Sequence, residues 1–173
     1  MKTNFWAKTI LSVYRYLERI AGAIDKLVEQ NAMNSYYYFT GASQDNGVMA
    51  TSERIIDLSE RKVTLINLKV LTEQALLNCD KTLARILIKR YIDCEKGEDI
   101  AKRFNLSTRT YFRRLNQGEE QFYNYFAIQG YNEKTLPLFL KDEKWIKEVY
   151  DKFVSIAENK AKEENFEELI KVN

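Results

Sequence analysis

Residues 98–117, EDIAKRFNLSTRTYFRRLNQ, carry two helical patterns separated by a break. Ile100, Ala101 and Phe104 recur at helical spacing, and Tyr111 and Leu115 do so again; between them, Asn105-Leu106-Ser107 interrupts the period. Asn tolerates the left-handed backbone that closes a helix, and a Ser side chain accepts from the free amides that open the next one. The stretch therefore predicts two helices meeting at a three-residue corner. A helix-turn-helix corner needs a small residue on its first helix and apolar residues that lock the crossing. Ala101 is the small residue, and Ile100, Phe104, Leu106, Tyr111 and Leu115 are the locks.

With Tyr111 and Leu115 turned inward, Thr108, Arg109, Phe112, Arg113 and Asn116 remain on the outward face of the second helix. These are candidates for contact with base edges. Arg matches the paired acceptors of guanine in the major groove, Asn matches adenine, and Thr or Phe can touch the thymine methyl. Lys89, Arg90, Lys102, Arg103 and Arg114 fall to the sides, where phosphates would lie. Residues 81–117 hold ten Lys/Arg against four acids, a local charge of +6 in a chain whose total is +2. The remainder is thus −4, and a locally basic module in an otherwise slightly acidic chain suits neutralisation of a nucleic-acid backbone.

The rest of the 173 residues reads as helix as well. One Pro and six Gly leave little of the punctuation that strands and hairpins need. Ile10, Val13, Tyr14, Leu17, Ile20, Ala21, Ile24, Leu27 and Val28 mark one apolar stripe on a helix over residues 4–33. The pattern fails over residues 34–48, which reads as a loop with a turn at Asp45-Asn46-Gly47. Its aromatic run, Tyr36, Tyr37, Tyr38 and Phe39, suits either stacking on unpaired bases or plugging the end of a bundle. A second long helix follows over residues 52–77, with apolar positions broad enough to face two partners. Asp80 is placed to cap a shorter helix whose inward face is Leu83, Ile86 and Leu87. Gly130 closes the helix after the corner, Pro137 marks a boundary, Asp142 is placed as a new N-cap, and the charged tail from Glu158 is expected to fray. The expected architecture is all-α: long N-terminal helices in a bundle or coiled coil (residues 1–79), a central helix-turn-helix (80–129) and a C-terminal helical extension (130–173).

Several function classes lose support on composition. No apolar run reaches the length of a membrane span, and Arg15, Glu18 and Arg19 interrupt what a signal peptide would keep apolar, which predicts a cytoplasmic protein with no membrane partner. The chain has no His, and Cys79 and Cys94 stand fifteen residues apart, so no metal site and no Ser-His or Cys-His dyad is expected. No glycine-rich phosphate cradle occurs either. Neither catalysis nor a cofactor is expected.

The run TLARILIKRYIDCEKGEDIAKRFNLSTRTYFRRLNQGEEQF, residues 82–122, resembles region 4 of the sigma-70 family. The likeness rests on a helix ending in Arg90-Tyr91, an acidic turn closing on Gly97, the pattern Ile100-Ala101-x-x-Phe104-x-Leu106-Ser107, the inward Leu115, and Gly118 three residues further on. It is similar also to small phage and prophage regulators that place such a domain after a long helix. The resemblance implies DNA binding through the second helix of the corner, with contacts at Thr108, Arg109, Phe112 and Arg113. Phe112 departs from the polar residue usual there, and no stretch of the chain resembles the part of a sigma factor that melts promoter DNA.

These observations lead to an expected function of sequence-specific binding to double-stranded DNA as a transcriptional regulator. A rival expectation is a protein-interaction module that grips RNA polymerase, a sigma factor or its antagonist, with the arginines serving acidic partners. A structural helical oligomer is the third. A lone corner seldom gives enough affinity, so a homodimer is expected, its N-terminal helices sharing a seam along residues 10–28 and its half-sites about 34 Å apart.

Overall fold

The computed structural model describes residues 4–40 and 46–171, with side chains over residues 4–34 and 49–159. Among the described residues every regular element is a helix: α1 (Phe5–Thr40), α2 (Asn46–Asn78), α3 (Lys81–Leu87), α4 (Gly97–Arg103), α5 (Thr108–Ile128), α6 (Leu136–Phe139) and α7 (Lys144–Lys171). The chain divides into two compact units, residues 14–74 and residues 1–13 with 75–173. None of the helices is long and apolar enough to cross a membrane.

In the first of these units α1 and α2 run antiparallel. Tyr14 donates to Glu73 at 2.8 Å, Lys69 to Glu18 at 3.1 Å, and Lys62 to Asp25 at 2.5 Å. Positions advance along α1 as they retreat along α2, so one register holds throughout. Leu17, Ala21 and Ile24 are buried on one side and Leu58, Leu65 and Leu68 on the other. Burial, and then the bond to Glu73, pushes the Tyr14 hydroxyl up to about 12. The α1 stripe expected to form a seam between chains is therefore covered by α2 of the same chain from Leu17 to Ile24. A short connection makes antiparallel neighbours of consecutive helices, and that local solution claims the stripe first.

The loop expected over residues 34–48 is mostly helical. α1 continues to Thr40 because residues 34–40 contain neither Gly nor Pro, and Asn46 and Gly47 open α2 rather than form a turn. Ser52 and Glu53 lie inside α2, not at its start. The Asp45 end of the expected turn and the side chains of Tyr36, Tyr37, Tyr38 and Phe39 lie outside the described residues.

The other unit carries the corner. Asp80 caps α3, its carboxylate accepting from the amides of Thr82 at 2.9 Å and Leu83 at 3.2 Å. α3 passes into a π-helical turn over Ile88–Ile92, closed by the Asp93 amide on the Ile88 carbonyl. α5 ends where Gly130 takes φ of 89°, with the Tyr131 amide reaching back to Phe126 and that of Gly130 to Ala127. Pro137 stands in the first turn of α6, where a missing amide costs nothing. Asp142 does not begin α7. It is exposed in the preceding turn, and the buried Glu143 takes that place, its carbonyl accepting from Ile146 and its carboxylate from the Trp145 indole at 2.7 Å. Tyr150 of α7 stacks on Trp6 of α1 at 4.3 Å, which docks the last helix. The backbone that was expected to fray after Glu158 stays helical to Lys171.

Candidate nucleic-acid interface

The corner is built by two caps in succession. At the end of α4, Asn105 adopts φ of 51°, the Leu106 amide bonds the Ala101 carbonyl at 2.8 Å, and the Asn105 amide bonds that of Lys102 at 3.1 Å. This paired closure satisfies carbonyls that a helix end otherwise leaves open. One residue later Ser107 caps α5, its hydroxyl 3.3 Å from the Thr110 amide and 2.9 Å from the Thr110 hydroxyl. Between the caps the chain reverses without a flexible residue.

Ile100, Ala101, Tyr111 and Leu115 are buried, and Phe104 and Leu106 half-buried, so the small residue and all five expected locks face the interior to some degree. Two glycines permit the close fit. A methyl group at Gly97 would sit 2.9 Å from Cε1 of Tyr111, and one at Gly118 would sit 3.2 Å from Cγ of Leu87. The Tyr111 hydroxyl is buried with no hydrogen-bond partner among the described residues.

Thr108, Arg109, Phe112, Arg113 and Asn116 are all exposed, and they fall on one side of α5, adjoining the side that carries Tyr111 and Leu115. Phe112 is 53% exposed, with its ring edge-on to Tyr111 at 5.1 Å. The same face thus offers two guanidinium forks, one amide, one hydroxyl and one ring.

The five flanking cations separate into two groups. Lys102 is exposed and Arg114 half-buried, and neither forms an ion pair among the described residues. Lys89, Arg90 and Arg103 instead converge on Glu95. Lys89 Nζ lies 3.2 Å and Arg103 Nη1 2.9 Å from Glu95 Oε1, and Arg90 donates to the Glu95 carbonyl at 3.2 Å. Lys89 also bonds Asp93 at 2.8 Å, and that bond, then Glu95, holds its ammonium above the ordinary value. The other Glu95 oxygen, Oε2, is buried with no hydrogen-bond partner among the described residues. One carboxylate oxygen therefore sits where a phosphate oxygen would attract the same cations.

A second acid was not foreseen from the sequence. Glu119 of α5 is 3% exposed, accepts from the Tyr91 hydroxyl at 2.5 Å, and lies 3.8 Å from Lys8 Nζ. Burial raises its carboxyl pKa, with the Tyr91 bond and the Lys8 and Arg90 charges opposing. The same burial pushes the Tyr91 hydroxyl far up. Tyr91 belongs to the π-helical turn, so this cluster joins three elements (the start of α1, the turn before α4, and α5) and sets the pose of the exposed face. Its signal was present in the spacing, because position 119 lies four after Leu115 and three before Phe122 on the inward side.

No protein-family model, no curated protein and no solved structure matches this chain.

Proposed function

We propose that the chain is a cytoplasmic DNA-binding transcriptional regulator that lays the first two turns of α5 in the major groove. The observation that carries this reading is the exposed face of Thr108, Arg109, Phe112, Arg113 and Asn116 on a helix locked to the interior by Tyr111 and Leu115. Arg109 and Arg113 supply bidentate donors to guanine, Asn116 does so for adenine, and Phe112 covers a thymine methyl. Lys102 and Arg114 bind phosphates beside the groove, joined by Lys89, Arg90 and Arg103 when a phosphate replaces the Glu95 carboxylate. The resemblance of residues 82–122 to sigma-70 region 4 supports the same assignment. No cofactor and no chemical step enter it.

Contact with RNA polymerase is a second reading, favoured by Phe112. An aromatic ring half open to solvent beside two arginines is also the composition of a protein-binding hot spot. Selection of bound fragments from a random DNA pool by the purified chain distinguishes the two. A recovered motif supports DNA reading. No enrichment, together with salt-resistant co-purification of polymerase, replaces it with the second.

A further inference from the structure

A cavity of about 610 Å³ lies within the unit that carries the corner, between the start of α1, α6 and the first turns of α7. Trp6, Pro137 and Leu140 give it an apolar wall, and Tyr150, stacked on the Trp6 ring at 4.3 Å, lines it too. Small-molecule sites have this size and this mixture of an apolar wall with a few charged groups at the edge.

The charges at its edge are sorted by sign. Lys141, Lys144 and Lys147 stand at or just before the first turn of α7, and Glu148 and Asp151 follow further along the same helix. Lys144 and Glu148 are four positions apart, as are Lys147 and Asp151, so each of these cations has an acid within reach on its own helix. Neither ion pair forms among the described residues, and Lys141 has only a 4.0 Å approach to Asp142. Glu133 joins the acidic end. Burial raises the pKa of the Tyr150 hydroxyl, and the nearby Glu133 and Asp151 carboxylates raise it further, so both acids gather around Tyr150. The cavity thus has a cationic end at Lys144 and Lys147, an acidic end at Asp151 and Glu133, and the apolar wall alongside.

We infer that this cavity binds a dipeptide of apolar residues, its carboxylate held by Lys144 and Lys147 and its ammonium by Asp151 and Glu133. A lone anion leaves the acidic end unmatched, and a lone cation leaves the basic end so. Ionised partners at both ends make the stronger class of hydrogen bond, and apolar side chains cover the wall. The separation of the ends sets the length of the ligand. The lysine pair precedes the Glu148 and Asp151 pair by four residues, roughly 6 Å along a helix. A free amino acid carries both charges on one carbon and falls short of that span, whereas two residues of extended chain reach about 7 Å. This inference does not depend on DNA binding.

Calorimetric titration of the full chain with leucylleucine, its N-acetyl form and its C-terminal amide tests it. The free dipeptide should bind saturably, and capping either end should weaken binding by about tenfold or more, the effect of losing one charge-assisted hydrogen bond. Lys144→Ala with Lys147→Ala should weaken the free dipeptide and spare the amide. Glu148→Gln with Asp151→Asn should weaken the free dipeptide and spare the acetyl form. All four side chains are exposed, so these variants keep the fold. Lys134→Ala, exposed and outside the cavity lining, should bind as the wild type does. No saturable binding at millimolar dipeptide overturns the inference. So does a capped form that binds as tightly as the free one, which would leave the cavity to an anion or a cation, or rim variants that bind like the wild type.

Discussion

Arg103 is held by Glu95 at 2.9 Å, on the same carboxylate oxygen that Lys89 approaches to 3.2 Å. Two cations that should serve phosphates are thereby neutralised by the chain itself in the absence of DNA. Lys89 and Arg103 stay 33% and 54% open to solvent, which screens the attraction, and both long side chains lose freedom in holding it, so these pairs are weak and exchangeable. Phosphate, with more acceptor oxygens, can displace the acid. Glu95→Gln removes the competitor without changing shape. The variant should bind all duplex sequences more tightly, and the slope of log affinity against log salt should steepen by roughly one to two. Fluorescence anisotropy across a salt series measures both quantities, and a slope equal to that of the wild type would show that Lys89 and Arg103 stay away from phosphate.

Lys102 and Arg114 begin from the opposite state, with no acid to give up among the described residues. Either residue changed to Ala should weaken binding to specific and random DNA alike and reduce the salt slope by roughly one. The same titration decides it. Slopes unaltered in both variants would take the end of α4 and the second turn of α5 off the phosphate path.

Arg109 and Arg113 should behave differently because both are exposed on the face proposed to meet the bases. Loss of a bidentate contact to one base costs about 1–3 kcal/mol of discrimination. Arg109→Ala or Arg113→Ala should therefore weaken binding to the selected site by that amount, relax preference at one or two base pairs, and leave random DNA nearly unaffected. Competition between selected and scrambled duplexes reads this directly. Equal losses on both would reassign the arginines to the backbone.

The corner was legible in the sequence because each of its parts is local. Asn105 as the left-handed closure, Ser107 as the cap, Asp80 as the earlier cap and Gly130 as the terminator each act within a few residues of themselves, and each stands where the spacing put it. The exposed quintet on α5 was legible for the same reason, since an inward Tyr111 and Leu115 dictate the outward face. The ends of α1 and α2 were not. Failure of apolar periodicity after Met33 suggested a loop, but helix propensity with no breaker before Gly41 carries the backbone on. Pairing was harder still. The α1 stripe says that something covers it, and only the register of Tyr14, Glu18 and Asp25 against Glu73, Lys69 and Lys62 shows that the cover is α2. Glu95 escaped notice because acids in turns are ordinarily solvated. Its grip on three basic residues depends on how α3, the π-helical turn and α4 come together.

Glu119 gives the last prediction, one of stability against pH. Burial raises its carboxyl pKa above the ordinary 4.5, while Tyr91, Lys8 and Arg90 pull in the other direction without cancelling the rise. The folded chain then holds the proton more firmly than the unfolded one. The resulting stabilisation is complete below about 4.5 and is lost as pH climbs through the raised folded value. Glu119→Gln keeps an acceptor for the Tyr91 hydroxyl but has no proton to lose, so its stability relative to wild type should improve over that window and level off above it. Denaturant unfolding of both proteins from pH 4 to pH 8 isolates the effect as a difference, because every other carboxylate is common to the pair. A difference that stays flat across the range would mean that Glu119 titrates alike in the folded and unfolded chains. One that shrinks as pH rises would mean that Lys8 governs the site and that the carboxylate is bound there as an anion.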